Sequence, residues 1–259
     1  MSKTTPGTVS KILWHFTGGP IWDEGMQKQS SELKSDMTAY QNLSAIIRSQ
    51  KLKASQYTEF FTTSLPMNKV PTWDALSKEL TVQEAEEAGK INFHFHNATS
   101  KVVCLADIPI QHLPYHAKRY GKFGIGFRRE LILNADFNPV MYLPTNSTLN
   151  SAIHGAFSRL NFYTSQISEH DQELESLLQD TRLCFLDILS MSKTFHLDEF
   201  ETVYCEREWR KTSDFNFSTE NISMIILPRQ TGHFEQFMSD FPEFPRTIPV
   251  IPWEDLLEH

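Results

Sequence analysis

The segment Tyr204-Cys205-Glu206-Arg207-Glu208-Trp209-Arg210 sets two carboxylates two residues apart. On an extended strand this spacing sends Glu206 and Glu208 to one face, about 7 Å apart, with Arg207 and Trp209 on the other. Two carboxylates on one face repel, so either one keeps its proton above the ordinary range or a cation lies between them. Such a pair can stabilise a positive charge that develops in a transition state. It can equally be a strand end whose acids pair with Arg207, Arg210 or nearby lysines, and the spacing alone leaves both open.

A second candidate lies at the start of the chain. Ile12-Leu13-Trp14-His15-Phe16, stopped by Thr17-Gly18-Gly19-Pro20, reads as a buried first strand and a turn. His15 and Thr17 would present an imidazole and a hydroxyl at the strand end, a combination suited to ribose hydroxyls. A hydrogen-bonded structural histidine is the plainer alternative. Asp107, His112, His116, Tyr120 and Arg128 cluster in sequence around a glycine-rich strand pair, as cleft-lining residues would. Gly121, Gly124 and Gly126 make no dinucleotide fingerprint, because no helix opens after them. The spacings of a phosphate-binding loop and of a serine-hydrolase elbow are absent as well.

The elements that must position these residues follow from periodicity. Strands are expected at 12–16, 102–106, 123–127, 139–143, 201–206, 222–227 and 248–251. Met37, Tyr40, Leu43 and Ile47 recur at helical spacing, a short polar helix over 111–120 ends at Gly121, and another helix covers 232–238. Residues 58–92 read as an inserted acidic loop followed by a solvated helix. Residues 149–192 read as an inserted helical hairpin, packed by Phe157, Leu160, Leu177 and Cys184. No linker or repeat divides the chain, so the expectation is one α+β domain over 1–259 with two insertions.

Composition narrows the classes. A chain of 259 residues with 40% apolar and 22% charged side chains can bury a full core without metal or disulfide support. Its net charge of -8 disfavours nucleic acid as a bulk electrostatic ligand while leaving it possible as a substrate. Cys104, Cys184 and Cys205 have no metal-ligand spacing and are expected as reduced thiols of the core, with no metal bound. No leader or membrane-spanning run is evident, and the expectation is a cytoplasmic protein with no membrane partner.

Several of these blocks together resemble a known family. Leu13 to Gly19, Val103-Cys104-Leu105-Ala106-Asp107-Ile108-Pro109 with His116, Tyr120 to Phe127, Asn138 to Tyr142 and Glu206 to Arg210 are similar to the AbiGi family. That family is associated with bacterial abortive infection, in which a gene pair protects a population against phage, and AbiGi-like members are labelled the antitoxin component. The resemblance implies an anti-phage role and a toxin or antitoxin partner encoded by a neighbouring gene.

A more distant likeness bears on mechanism. A first-strand His-x-Thr, the helix carrying Asn42-Leu43 and Ile46-Ile47, and a late Glu-x-Glu strand resemble the ADP-ribosyltransferases, including the DarT type. The likeness implies a split mixed sheet with helical insertions, and NAD as substrate without a metal. His15 and Thr17 would hold a ribose, Glu208 would stabilise an oxocarbenium-like transition state, and Glu206 would orient a protein or nucleic-acid acceptor. Tyr120 or Tyr142 would stand in for the second motif, which has no clear counterpart, with Arg128 on the cofactor side. Both carriers of the chemistry, His15 and Glu208, would then lie on adjacent strands with side chains within about 10 Å. Two activities stay open: an NAD-dependent transferase, or a non-enzymatic antitoxin-type binder using an acidic patch such as 79–87.

Overall fold

The computed structural model describes residues 10–23, 28–55, 58–66, 81–83, 90–98, 100–145, 147–166, 172–195 and 204–256. In chain order the first half holds β1 (Ile12–Phe16), β2 (Pro20–Asp23), β3 (Lys28–Leu33), α1 (Asp36–Ser49), β4 (Lys51–Leu52), β5 (Thr58–Pro66), β6 (Thr81–Gln83), β7 (Lys90–Ala98), β8 (Val103–Ala106), α2 (Leu113–Tyr120) and β9 (Gly124–Arg128). Then come α3 (Arg129–Asn134), β10 (Asn138–Pro139), β11 (Met141–Pro144), α4 (Thr148–Gln166), α5 (Gln172–Ser190) and β12 (Ser192–Phe195). The last are β13 (Glu208–Lys211), β14 (Phe215–Asn216), β15 (Ile222–Leu227), α6 (His233–Asp240) and β16 (Val250–Pro252). The protein is mixed α+β.

Two compact units divide the chain: Met1–Ser55, Val102–Pro139 and Cys205–His259 form the first, and Gln56–Lys101 with Val140–Tyr204 the second. Both segments read as insertions, 58–92 and 149–192, fall in the second unit.

The first unit is built on a seven-stranded sheet in the order β10-β13-β8-β1-β9-β15-β16. Its pairings are antiparallel except for the parallel β15–β16 edge. Strand β1 is apolar on both faces because both are covered. Leu13, Leu105, Ile125 and Ile225 join Tyr40, Leu43 and Ile47 of α1 and Phe237 of α6 in one layer. Trp14, Ala106 and Ile226 join Leu113 and Ala117 of α2 and Trp253 in the other. Each Leu, Ile or Phe among them removed from water contributes roughly 1.5–3 kcal/mol. Helix α1 starts where Ser35 accepts from the Thr38 amide at 3.2 Å and stops where Gln50 turns left-handed, at φ 50°.

The second unit contains the antiparallel sheet β5-β7-β6, the parallel pair β11–β12, and the helices α4 and α5. Two expectations change here. Where a loop and a solvated helix were expected in 58–92, the described residues are strands, and Phe60-Phe61 and Phe93 with Phe95 supply the aromatic content that favours them. The acidic run 79–87 lies mostly outside the described residues. In the helical pair, Phe157 stacks on Phe185 at 5.9 Å and Leu189 is buried, whereas Leu177 and Cys184, expected in the packing, are exposed. The apolar arc of α5 is wider than its contact with α4 requires.

Candidate functional site

The late acidic segment is not one strand. Tyr204–Glu206 is a 3₁₀ turn, Arg207 adopts a left-handed φ of 44°, and β13 begins only at Glu208. The turn reverses the side-chain alternation, so Glu206 and Glu208 are not two teeth of one strand face. Each acid has its own cation. Arg210 donates from Nε to Glu208 Oε1 at 2.9 Å and from Nη2 to Oε2 at 3.0 Å, a bidentate pair in which Arg210 is 1% exposed. The i, i+2 spacing on β13 makes the pair, because it puts both side chains on one face.

Glu206 is held by α2. Tyr120 donates its hydroxyl to Glu206 Oε1 at 2.8 Å, and Arg119 Nη1 lies 3.0 Å from the same oxygen. The Tyr120 ring stacks on His116 at 4.4 Å, and His116 lies against Phe16 at 4.8 Å. This column is seated by glycine against glycine. Gly121 ends α2 at φ 76°, and a Cβ there would stand 3.0 Å from the Gly18 Cα.

Asp107, buried at the end of β8, receives Nη2 of Arg207 at 3.1 Å on Oδ2. Its Oδ1 faces Arg129 Nη2 as an ion pair outside hydrogen-bonding alignment. Arg129 also donates to the Ser10 carbonyl at 2.7 Å and lies 5.6 Å over the Trp209 ring. Three acids are thus matched by arginines within the first unit.

His15 belongs to the other side of the sheet. It pairs in register with Ile125, in the layer of Leu13, while Trp14 and Glu208 both pair with Ala106 in the opposite layer. Strand β8 also intervenes between β1 and β13, so the adjacent-strand expectation does not hold. His15 Nδ1 lies 3.0 Å from the Cys104 carbonyl oxygen. Part of the residue is accessible, yet it sits within the protein's mass. Burial pushes its pKa below 6.5, the Cys104 contact opposes this, and Lys34 adds to the lowering. Thr17 shares the His15 side, donating its hydroxyl to the Ala39 carbonyl of α1 at 2.8 Å.

The remaining candidates are dispersed. Arg128 is exposed at the far end of β9, opposite Ile12. Tyr142 belongs to the second unit, its ring edge-on to Tyr204 at 5.3 Å. The structure therefore joins Tyr120 with Glu206, and leaves His15 and Thr17 apart from Glu208. Arg119 and Arg129, which the sequence reading did not single out, become partners only through the fold. Among the described residues no group of three or more His, Cys, Asp or Glu could hold a metal ion, and no helix is long and apolar enough to cross a membrane. A shallow groove lined by Met37, Tyr40, Ser44, Arg48, Gln236 and Asp240 runs between α1 and α6. There Tyr40 donates to Asp240 at 2.6 Å, and burial with that carboxylate pushes its pKa up to about 12.

The first unit is thus a mixed α+β body whose buried acids are held by arginines. Residues 75–237 match the family model described as "Putative abortive phage resistance protein AbiGi, antitoxin", and the chain belongs to the AbiGi family. It is similar to an abortive phage resistance protein AbiGi of Lactococcus lactis subsp. cremoris, 35% identical over 81 residues. That stretch is 29% of this chain and 32% of the relative, so the chain spans about a third of that protein. No solved structure matches the chain.

Proposed function

We propose that this chain acts in anti-phage defence as an antitoxin-type binder, silencing a toxin encoded beside it. One observation carries the reading: His15 and Glu208, which an NAD-using enzyme would bring together, are each engaged by the fold and point to opposite layers. The description of the matched family as an antitoxin supports it, and the net charge of -8 suits a basic protein partner.

The transferase reading draws on the mixed sheet and on Tyr120 beside Glu206. It takes NAD as substrate, Glu208 as the charge-stabilising acid and an ADP-ribosyltransferase-like split sheet. It requires His15 and Glu208 to reach one ligand across β8 and through the sheet, which a rearrangement of the core would have to supply. The binder reading needs none.

The test is neutralisation in cells. Expression of the adjacent gene's product alone should arrest growth, co-expression of this chain should restore it, and cellular NAD should stay constant with this chain alone. Growth arrest and NAD depletion by this chain on its own would overturn the proposal in favour of the transferase.

A further inference from the structure

The outer side of α5 carries an apolar seam. Leu174, Leu177, Thr181, Cys184 and Ile188 follow heptad positions along the helix and are all exposed, Leu177 at 61% and Ile188 at 50%. At 1.5 Å per residue the seam runs about 21 Å. One border is used within the unit, where Phe185 turns to Phe157. The other border is acidic, with Glu173, Asp180 and Asp187 seven residues apart and exposed, Asp187 also accepting from Ser100 Oγ at 2.7 Å.

The geometry points to a docking seam for an amphipathic helix of a partner protein, apolar along its centre and lined with Lys or Arg on the side facing Glu173, Asp180 and Asp187. Charge selects that occupant over a second copy of this chain. Laid antiparallel, a second α5 would set its acidic row against this one; laid parallel, it would need the border that Phe185 already turns inward. A basic flank meets the acids in register and fits the net charge of -8. The partner's identity rests on the antitoxin reading; the chemistry of the seam does not.

The probe is a fluorescent synthetic helix of about 15 residues with Leu at the seam positions and Lys on the flanks, matched to the length of the seam. It is titrated against the full chain beside a counterpart with Glu on the flanks. The Lys peptide should bind at least tenfold tighter than the Glu peptide. Leu177→Glu, at an exposed position and checked for unchanged circular dichroism, should weaken it at least tenfold, and Glu173→Lys with Asp180→Lys should reverse the preference. Attachment by charge alone would strengthen with Leu177→Glu, and that result, or no binding of the Lys peptide, would overturn the proposal. The adjacent gene's product separates the two claims. Equal binding to wild type and Leu177→Glu removes the seam and leaves the antitoxin reading. Binding of the Lys peptide without binding of that product keeps the seam and removes the reading.

Discussion

His15 and Glu208 leave the same sheet on opposite faces, with the β8 strand between them. Glu208 is coupled instead to Arg210, which is almost fully buried. Removing one partner of a buried ion pair costs about 3–5 kcal/mol, because the other charge is left uncompensated. Arg210→Met should fall in that range and Glu208→Gln near its lower end. The double variant should lose less than the sum by at least ~1 kcal/mol, while His15→Gln and Glu208→Gln should add within about 0.5 kcal/mol. Denaturant midpoints of the variants decide it; additivity at 208 and 210 would contradict the pairing.

Two glycines should respond in opposite directions. A Cβ on Gly126 would meet Ile12 Cγ2 at 2.6 Å and Trp14 Cζ3 at 2.9 Å, so Gly126→Ala should cost roughly 1–3 kcal/mol through overpacking of the central strands. Gly155 lies inside α4 with nothing within 4 Å of its absent Cβ, so Gly155→Ala should stabilise by about 0.5–1 kcal/mol. Thermal midpoints moving the same way would count against the described packing.

The Tyr120–Glu206 contact gives a smaller effect. Tyr120→Phe keeps the ring on His116 and removes one hydrogen bond to a carboxylate that Arg119 still faces. A loss of about 1.5–3 kcal/mol is expected for a hydrogen bond to a charged group. A midpoint unchanged from wild type would show that the hydroxyl holds nothing.

Acid should weaken the second unit through His154. Burial in α4 lowers its pKa from 6.5 to about 4, so the unfolded chain takes up a proton near pH 6.5 that the native residue refuses until about pH 4. Stability contributed by this group is full above pH 6.5 and declines as pH falls through that window. A gap of 6.5 - 4 corresponds to about 3 kcal/mol. His15 is lowered in the same direction and steepens the decline. His154→Gln should flatten the thermal midpoint between pH 6.5 and pH 4. An unchanged acid slope in that variant would contradict the assignment.

Much of the first unit was legible because its signals are local. The apolar run of β1, the periodicity of α1, and Gly121 at the end of α2 match the elements observed. What the sequence hid depends on backbone handedness and register. A strand through Glu206 fails because Arg207 turns left-handed, which no residue type there announces. That His15 and Glu208 diverge follows from Trp14 rather than His15 sharing a row with Ala106, and a one-residue slip would invert it. The seam on α5 was visible as apolar periodicity, and only the exposure of Leu177 and Cys184 turned it from core into surface. The aromatic strands in 58–92 were masked by the proline and acidic signals around them.

The central claim, that this chain works by binding a protein and not by turning over NAD, is tested most directly by mixing it with the purified product of the adjacent gene and measuring mass by light scattering, with NAD followed in the same sample. The account predicts one species at the summed mass of the two proteins, and an NAD level that matches the buffer control. Two separate species, together with NAD consumed by this chain alone, would contradict it.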